Sequence, residues 1–294
     1  MKYKDREGNL YEKTTGQDRF IRKAYTTKAG RVLIKILTRP FITKIASLYL
    51  SCGISTIHIK SFIKKNNINM DEYVPTKYRS YNDFFTRRIK AECRPINGDR
   101  NAVICPADGK VTVYNIGENT PFEIKNSRYT VESILRNKEL AEQFSGGYCV
   151  IIRLSVDNYH RYCYIDNATV TDNKRIKGIL HTVNPIATAC ADVYKENSRE
   201  YTVLKTENFG TVVQIEVGAM MVGRIVNNSV TGPVVRGEEK GKFEFGGSTI
   251  VLLFEKDKIS ISNDIINNTL DNCETLVKMG EKIGELKELS IDNE

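Results

Sequence analysis

The apolar residues of this chain change their period near Pro95, and that change limits the folds open to it. Upstream they recur every three to four residues, as on one side of a helix; downstream they alternate with polar residues or run in short unbroken stretches. In "RVLIKILTRPFITKIASLYL", Val32, Leu33, Ile36 and Leu37 fall on one helical face and Arg31 and Lys35 on another. Pro40 cannot donate an N–H inside a helix, so it should end one helix and open the next, through Phe41, Ile45 and Leu48. Gly53 breaks the pattern and "STIHIKSFIKKNN" resumes it. "RSYNDFFTRRI" reads as a short helix capped at Ser80.

Beyond Pro95, "AVICPADGKVTVYNIG" reads as strands around a Pro-Ala-Asp-Gly turn. One helix is expected in "VESILRNKELAEQF". Strands are expected in "YCVIIRLSV", "YTVLKTENFGTVVQIEV", "VGRIVNN" and "STIVLLF", with "ENFG" as a hairpin turn. The last periodic stretch, "TLVKMGEKIGEL", is expected to be broken at Gly280 and Gly284. The fold class is therefore α+β. An amphipathic helical region over residues 1–70 precedes a β-rich core over 71–294.

Charge follows the same division. From Arg19 to Met70 there are eleven Lys or Arg and no Asp or Glu, more than the +8 net charge of the whole chain, so the remainder is slightly acidic. Such a block suits an anionic partner, a lipid surface or a nucleic acid. It lacks the interleaved aromatics of a single-strand binder, so no nucleic acid is expected. The start, "MKYKDREGNL", has no apolar signal core, and no stretch approaches the ~18 apolar residues of a membrane span. The seven cysteines form no CxxC pair, which fits reduced thiols in the cytosol. His160 and Cys163 have the spacing that opens a zinc site, but no second close pair completes it and no metal is expected.

The chemistry-bearing residues are few. The histidines are His58, His160 and His181. Alone, each reads as a hydrogen-bonded structural residue, Asp108 in "CPADG" as a turn aspartate, and Gly246-Gly247-Ser248 as a turn. Together, an aspartate on a tight turn, a histidine at a strand end and a serine after glycines can form orienter, base and nucleophile. The G-x-S-x-G elbow is excluded, because Ile250 stands where its second glycine belongs. A glycine before Ser248 instead lets the hydroxyl reach back to its own preceding carbonyl.

Six stretches, "FFTRRIKAECRPI", "CPADGKV", "DNYHR", "VNPIA", "VGAMMVGRI" and "GKFEFGGSTIVLLF", stand in one order along the chain. In them the chain resembles phosphatidylserine decarboxylase proenzymes. The resemblance implies self-cleavage between Gly247 and Ser248 into a β chain of residues 1–247 and an α chain of 248–294, which remain together as a heterodimer. It further implies that Ser248 becomes a covalent pyruvoyl group, the cofactor that decarboxylates phosphatidylserine to phosphatidylethanolamine. Family members often carry H-x-x-H and use its second histidine in processing; here that position is Cys163. His160 is the expected base, with His181 in "GILHTVNP" the alternative and Asp108 the orienter. The expected partner is the anionic phospholipid surface at the cytoplasmic face of the cell membrane, bound peripherally through residues 19–70. Two other readings stay open: a non-catalytic basic protein that binds membrane or RNA, and a pyruvoyl decarboxylase with a related substrate.

Overall fold

A computed structural model describes residues 2–12, 23–37, 40–117, 122–124, 127–178, 196–218, 224–228, 231–244 and 248–287. In chain order the strands are β1 (Lys2–Lys4), β2 (Leu10–Glu12), β3 (Ala102–Ile104), β4 (Gly109–Asn115), β5 (Phe122–Ile124), β6 (Ser127–Tyr129), β7 (Tyr148–Leu154), β8 (Arg161–Cys163) and β9 (Ala168–Ile176). They continue as β10 (Arg199–Thr206), β11 (Thr211–Gly218), β12 (Ile225–Asn227), β13 (Gly232–Val234), β14 (Glu239–Phe243), β15 (Ser248–Phe254), β16 (Ile259–Ile261), β17 (Glu274–Val277) and β18 (Lys282–Leu286). The α-helices named here are α1 (Lys28–Leu37), α2 (Pro40–Leu50), α3 (Ile57–Asn66), α4 (Tyr81–Phe85), α5 (Val131–Leu135), α6 (Lys138–Glu142) and α7 (Asn263–Leu270).

Ten strands form one mixed sheet in the order β13-β9-β10-β11-β15-β7-β4-β17-β1-β2, in which only the β1–β17 pair among the described strands is parallel. Two three-stranded sheets, β12-β14-β8 and β16-β18-β3, and the hairpin β5-β6 complete the strand pairing. The centre of the large sheet explains why "STIVLLF" reads as an unbroken apolar run. Ile250, Leu252 and Phe254 share one hydrophobic cluster with Tyr162, Ile225 and Phe243 of β12-β14-β8. Val251 and Leu253 point the other way, into a cluster with Ile134, Leu135 and Phe144 around α5 and α6. A strand covered on both faces has no side left for polar residues.

Pro40 opens α2 as expected, and Ser80 caps α4 by accepting from the Asp83 N–H at 3.1 Å. The "ENFG" hairpin joins β10 to β11; Gly210 sits at φ 69° and Thr206 N–H donates to its carbonyl at 3.0 Å. Four expectations change. Residues 2–12, within the stretch expected to be helical, form a strand pair on the edge of the large sheet. The single helix expected over "VESILRNKELAEQF" is two, because Arg136 adopts φ 50° and Asn137 then caps α6 from its side chain. Gly284 lies inside β18; a Cβ there would meet the Ser260 carbonyl at 2.5 Å, so the glycine permits close strand approach. In α1, Val32 is 59% exposed and Ile34 buried, so the inward face is turned from the one its spacing suggests.

The front helices have a core of their own. Leu50, Tyr81, Phe84 and Phe85 are buried against Ile59, Phe62 and Ile63. Among the described residues no helix is long and apolar enough to cross a membrane.

Candidate active site

Ser248 is the first residue of β15, opposite Gly218 of β11 on one side and Leu154 of β7 on the other. Because side chains alternate along a strand, Ser248 shares its face with Ile250 and Leu252, the face covered by β12-β14-β8. Its side chain is fully buried, and its Oγ has no hydrogen-bond partner among the described residues. The three residues before it, 245–247, lie outside the described ones.

His160 belongs to the other sheet. It immediately precedes β8, and its carbonyl accepts from Phe243 N–H at 2.9 Å, so it extends the β8–β14 ladder by one residue. The ring is fully buried, packed against Phe85 with centroids 4.0 Å apart and planes tilted by 37°. Its Nδ1 donates to the Asn158 carbonyl at 2.9 Å, which places the proton there and leaves Nε2 as the lone-pair nitrogen. Nε2 has no partner among the described residues. Burial, and then the nearby Arg87 guanidinium, pull the imidazole pKa down to about 3, so the ring is neutral at physiological pH.

Arg87 is itself buried between aromatic faces, 4.2 Å from the Tyr73 centroid and 4.8 Å from that of Phe84. Its hydrogen bonds go to the Tyr73 hydroxyl and to the Phe84 and Asp157 carbonyls, all uncharged acceptors. The positive charge therefore remains uncompensated by a carboxylate among the described residues, which is what opposes an imidazolium at His160.

Asp108 is placed differently from its expected role. Arg94 grips its carboxylate with two bonds of 2.7 Å, and Met279 N–H donates to it at 2.9 Å. Both acceptor oxygens are thus committed to fixing the "CPADG" turn against the 278–281 turn, where Gly280 N–H also donates to the Cys105 carbonyl at 2.9 Å. The orientation of Nδ1 expected from Asp108 comes from the Asn158 carbonyl instead. Cys163, three residues after His160, is buried, and burial pushes its thiol up to about 12. It is a neutral thiol and cannot replace an imidazole as base. His181 and "VNPIA" lie outside the described residues.

A buried polar cluster joins the two sheets beside Ser248. Lys240 Nζ of β14 donates to Glu216 of β11 at 2.7 Å, both side chains fully buried. Asn227 of β12 donates to Glu200 at 2.7 Å and accepts from the Tyr162 hydroxyl at 3.0 Å. Glu216 lies two residues before Gly218, on the face that carries Ser248. Residue type alone does not mark this cluster, because a Lys or Glu in a strand ordinarily faces solvent.

A fully buried serine hydroxyl without a partner among the described residues thus stands at a strand start, and a neutral imidazole with a partnerless Nε2 stands at the end of the β8–β14 ladder. The phosphatidylserine decarboxylase family model matches residues 81–285. The chain is 46% identical over 279 residues to phosphatidylserine decarboxylase proenzyme 2 of Clostridium acetobutylicum, covering 94% of each protein. It is 38% identical over 292 residues to the proenzyme of Clostridium tetani, covering 97% of this chain and 98% of that one. A Clostridium botulinum proenzyme is 37% identical over 97% of this chain and 99% of its own. Family membership implies a self-generated pyruvoyl cofactor and a precursor cut into two chains. This protein belongs to the phosphatidylserine decarboxylase family, lyases that convert phosphatidylserine to phosphatidylethanolamine with a pyruvoyl group.

Proposed function

We propose that the chain cuts itself between Gly247 and Ser248, with His160 as the base, and then decarboxylates phosphatidylserine while held peripherally on the cytoplasmic face of the membrane. The observation that carries this reading is the pair of partnerless buried atoms, Ser248 Oγ at the start of β15 and His160 Nε2, whose residue is hydrogen-bonded through its carbonyl to Phe243 at the end of β14, five residues before Ser248.

Nε2 takes the Ser248 hydroxyl proton as Oγ attacks the Gly247 carbonyl. The Gly247–Ser248 C–N bond breaks, leaving an ester and a free amine on Ser248. Loss of the Cα proton then expels the Gly247 carboxylate, and water replaces nitrogen, releasing ammonia and leaving the pyruvoyl ketone. Asn158 holds the tautomer, Phe85 the ring plane, and Arg87 keeps the imidazole from retaining a proton from solvent. Asp108 acts through Arg94 and Met279 by fixing the turn beside the site. In the mature enzyme the pyruvoyl group supplies the electron sink for loss of CO2 from the serine head group. His160 is then the nearby group able to hold and return a proton.

The domain division at residue 70 and membrane contact through the basic helices belong to the same proposal. Each Lys or Arg near an anionic surface contributes about 1 kcal/mol, and eleven of them stand from Arg19 to Met70. The test is an intact-mass spectrum of the denatured protein. Two chains meeting between Gly247 and Ser248, the smaller with a pyruvoyl terminus, are expected. A single full-length mass from active protein would remove the self-processing step.

A further inference from the structure

Resting on that reading, we propose that a cavity among α2, α3 and α4 receives one acyl chain of the phospholipid substrate. The cavity is an open hollow of about 370 Å³ walled by Tyr49, His58, Ser61, Phe62, Lys65 and Tyr81, among others. That volume lies within the ~300–1,000 Å³ of small-molecule sites. Its wall is aromatic and aliphatic, and its polar groups are largely satisfied: the Tyr49 hydroxyl and His58 Nε2 share a 2.7 Å hydrogen bond.

Two independent features of the rim point to an anionic amphiphile. The first is exposed apolar surface. Ile45, Leu48 and Tyr49 form one stripe along α2, 49%, 66% and 45% exposed. Ile54 and Ile57, both 68% exposed, lie at the start of α3, and Ile57 shares a helix face with the wall residue Ser61. The second is charge: Lys44, Lys60, Lys64 and Lys65 are exposed on the same helices, and none has an ion-pair partner among the described residues. An apolar hollow with an apolar lip and unpaired ammonium groups fits a fatty chain that carries a phosphate above it.

The position of α4 ties the hollow to the substrate in preference to bulk lipid. Tyr81, at its start, walls the cavity and packs edge-on to Phe62 at 5.5 Å. Phe85, four residues on, packs against His160. One turn of helix, about 6 Å, therefore separates the cavity wall from the ring beneath the catalytic imidazole. A lipid whose tail occupies the hollow has its head group delivered toward Ser248.

The sequence has no tryptophan, so one placed in the wall reports alone. In full-length Tyr49→Trp, phosphatidylserine brominated in mid-chain should quench the fluorescence, more strongly than it quenches Leu48→Trp on the outer stripe. No quenching, as when the chain's own residues fill the hollow, would overturn the proposal; so would equal quenching of both, which means bilayer contact alone. In a second arm, Ser61→Phe narrows the hollow at an exposed helical position. Its KM for dioleoyl-phosphatidylserine should rise about tenfold, the equivalent of roughly two buried methylenes lost. Its kcat, its KM for dibutanoyl-phosphatidylserine and its self-cleavage should stay unchanged. An equal rise for both lipids would assign the effect to the head-group path and overturn the proposal. A wild-type protein that releases no CO2 from either lipid would sink the decarboxylase reading, while the bromine experiment would still decide the cavity.

Discussion

Ser248 and His160 each carry into the interior a polar atom that no described neighbour satisfies. Interiors rarely tolerate this without a reason. Ser248→Ala should yield one uncut chain with no decarboxylation, read by denaturing mass spectrometry. His160→Ala should leave the same uncut chain; if cutting stops only in His181→Ala, the base has been misassigned. Burial gives His160 a second signature. Its folded pKa, about 3, lies below the ordinary 6.5, so the unfolded chain takes up the proton first as pH falls. Stability is therefore intact above pH 6.5 and declines toward pH 3, by at most about 1.4 kcal/mol per unit from this group. The urea midpoint of Ser248→Ala should fall between pH 6.5 and 4 more steeply than that of Ser248→Ala/His160→Gln. At Asp108, Ala would take from buried Arg94 its bidentate partner and leave it only the half-buried Glu72, at a cost of up to about 3–5 kcal/mol, so loss of cutting in that variant would report folding. Ser248 and His160 were legible as candidates because residue type and spacing single them out. Asn158 was not, because it acts through its carbonyl, which every residue has, and Phe85 reads as ordinary core.

At the level of elements, the contact between the large sheet and β12-β14-β8 combines an apolar cluster with the Lys240–Glu216 pair. Burial pushes the Glu216 carboxyl up, and Lys240 holds it down. Lys240→Met should cost about 3–5 kcal/mol by leaving a buried carboxylate alone, whereas Lys240→Met/Glu216→Leu should cost much less. Urea denaturation in the uncut Ser248→Ala background measures both, and equal losses would mean the two charges do not act as a pair. Strand identity was legible wherever two-sided burial made a dense apolar run, as in β15. It was lost in β9, whose burial alternates along "ATVTDNKRI" without a strong apolar signal, and in the break at Arg136, which depends on a left-handed backbone that residue type does not announce.

For the whole molecule, the division into basic helices and β-rich core follows charge and period closely, while the strands at residues 2–12 are held by pairing with β17, more than 260 residues away. No local pattern encodes such a partner. Replacing Lys35, Arg39 and Lys44 by Glu should weaken sedimentation with anionic vesicles and leave self-cleavage complete; unchanged sedimentation would make the segment structural only. The segment from Ser248 onward is woven through the rest: β15 lies between β11 and β7, β17 between β4 and β1, and β18 between β16 and β3. The proposed cut before Ser248 would break none of those ladders, so the two chains should stay joined without a peptide bond. The weave also gives the protein a direction in time. An uncut chain that unfolds keeps its missing strands tethered and can find them again; a cut one must recover them from solution, one molecule searching for another. Diluted from urea, the Ser248→Ala precursor should regain its circular dichroism, and the mature pair should not, so that maturation commits each molecule to a single folding for its lifetime.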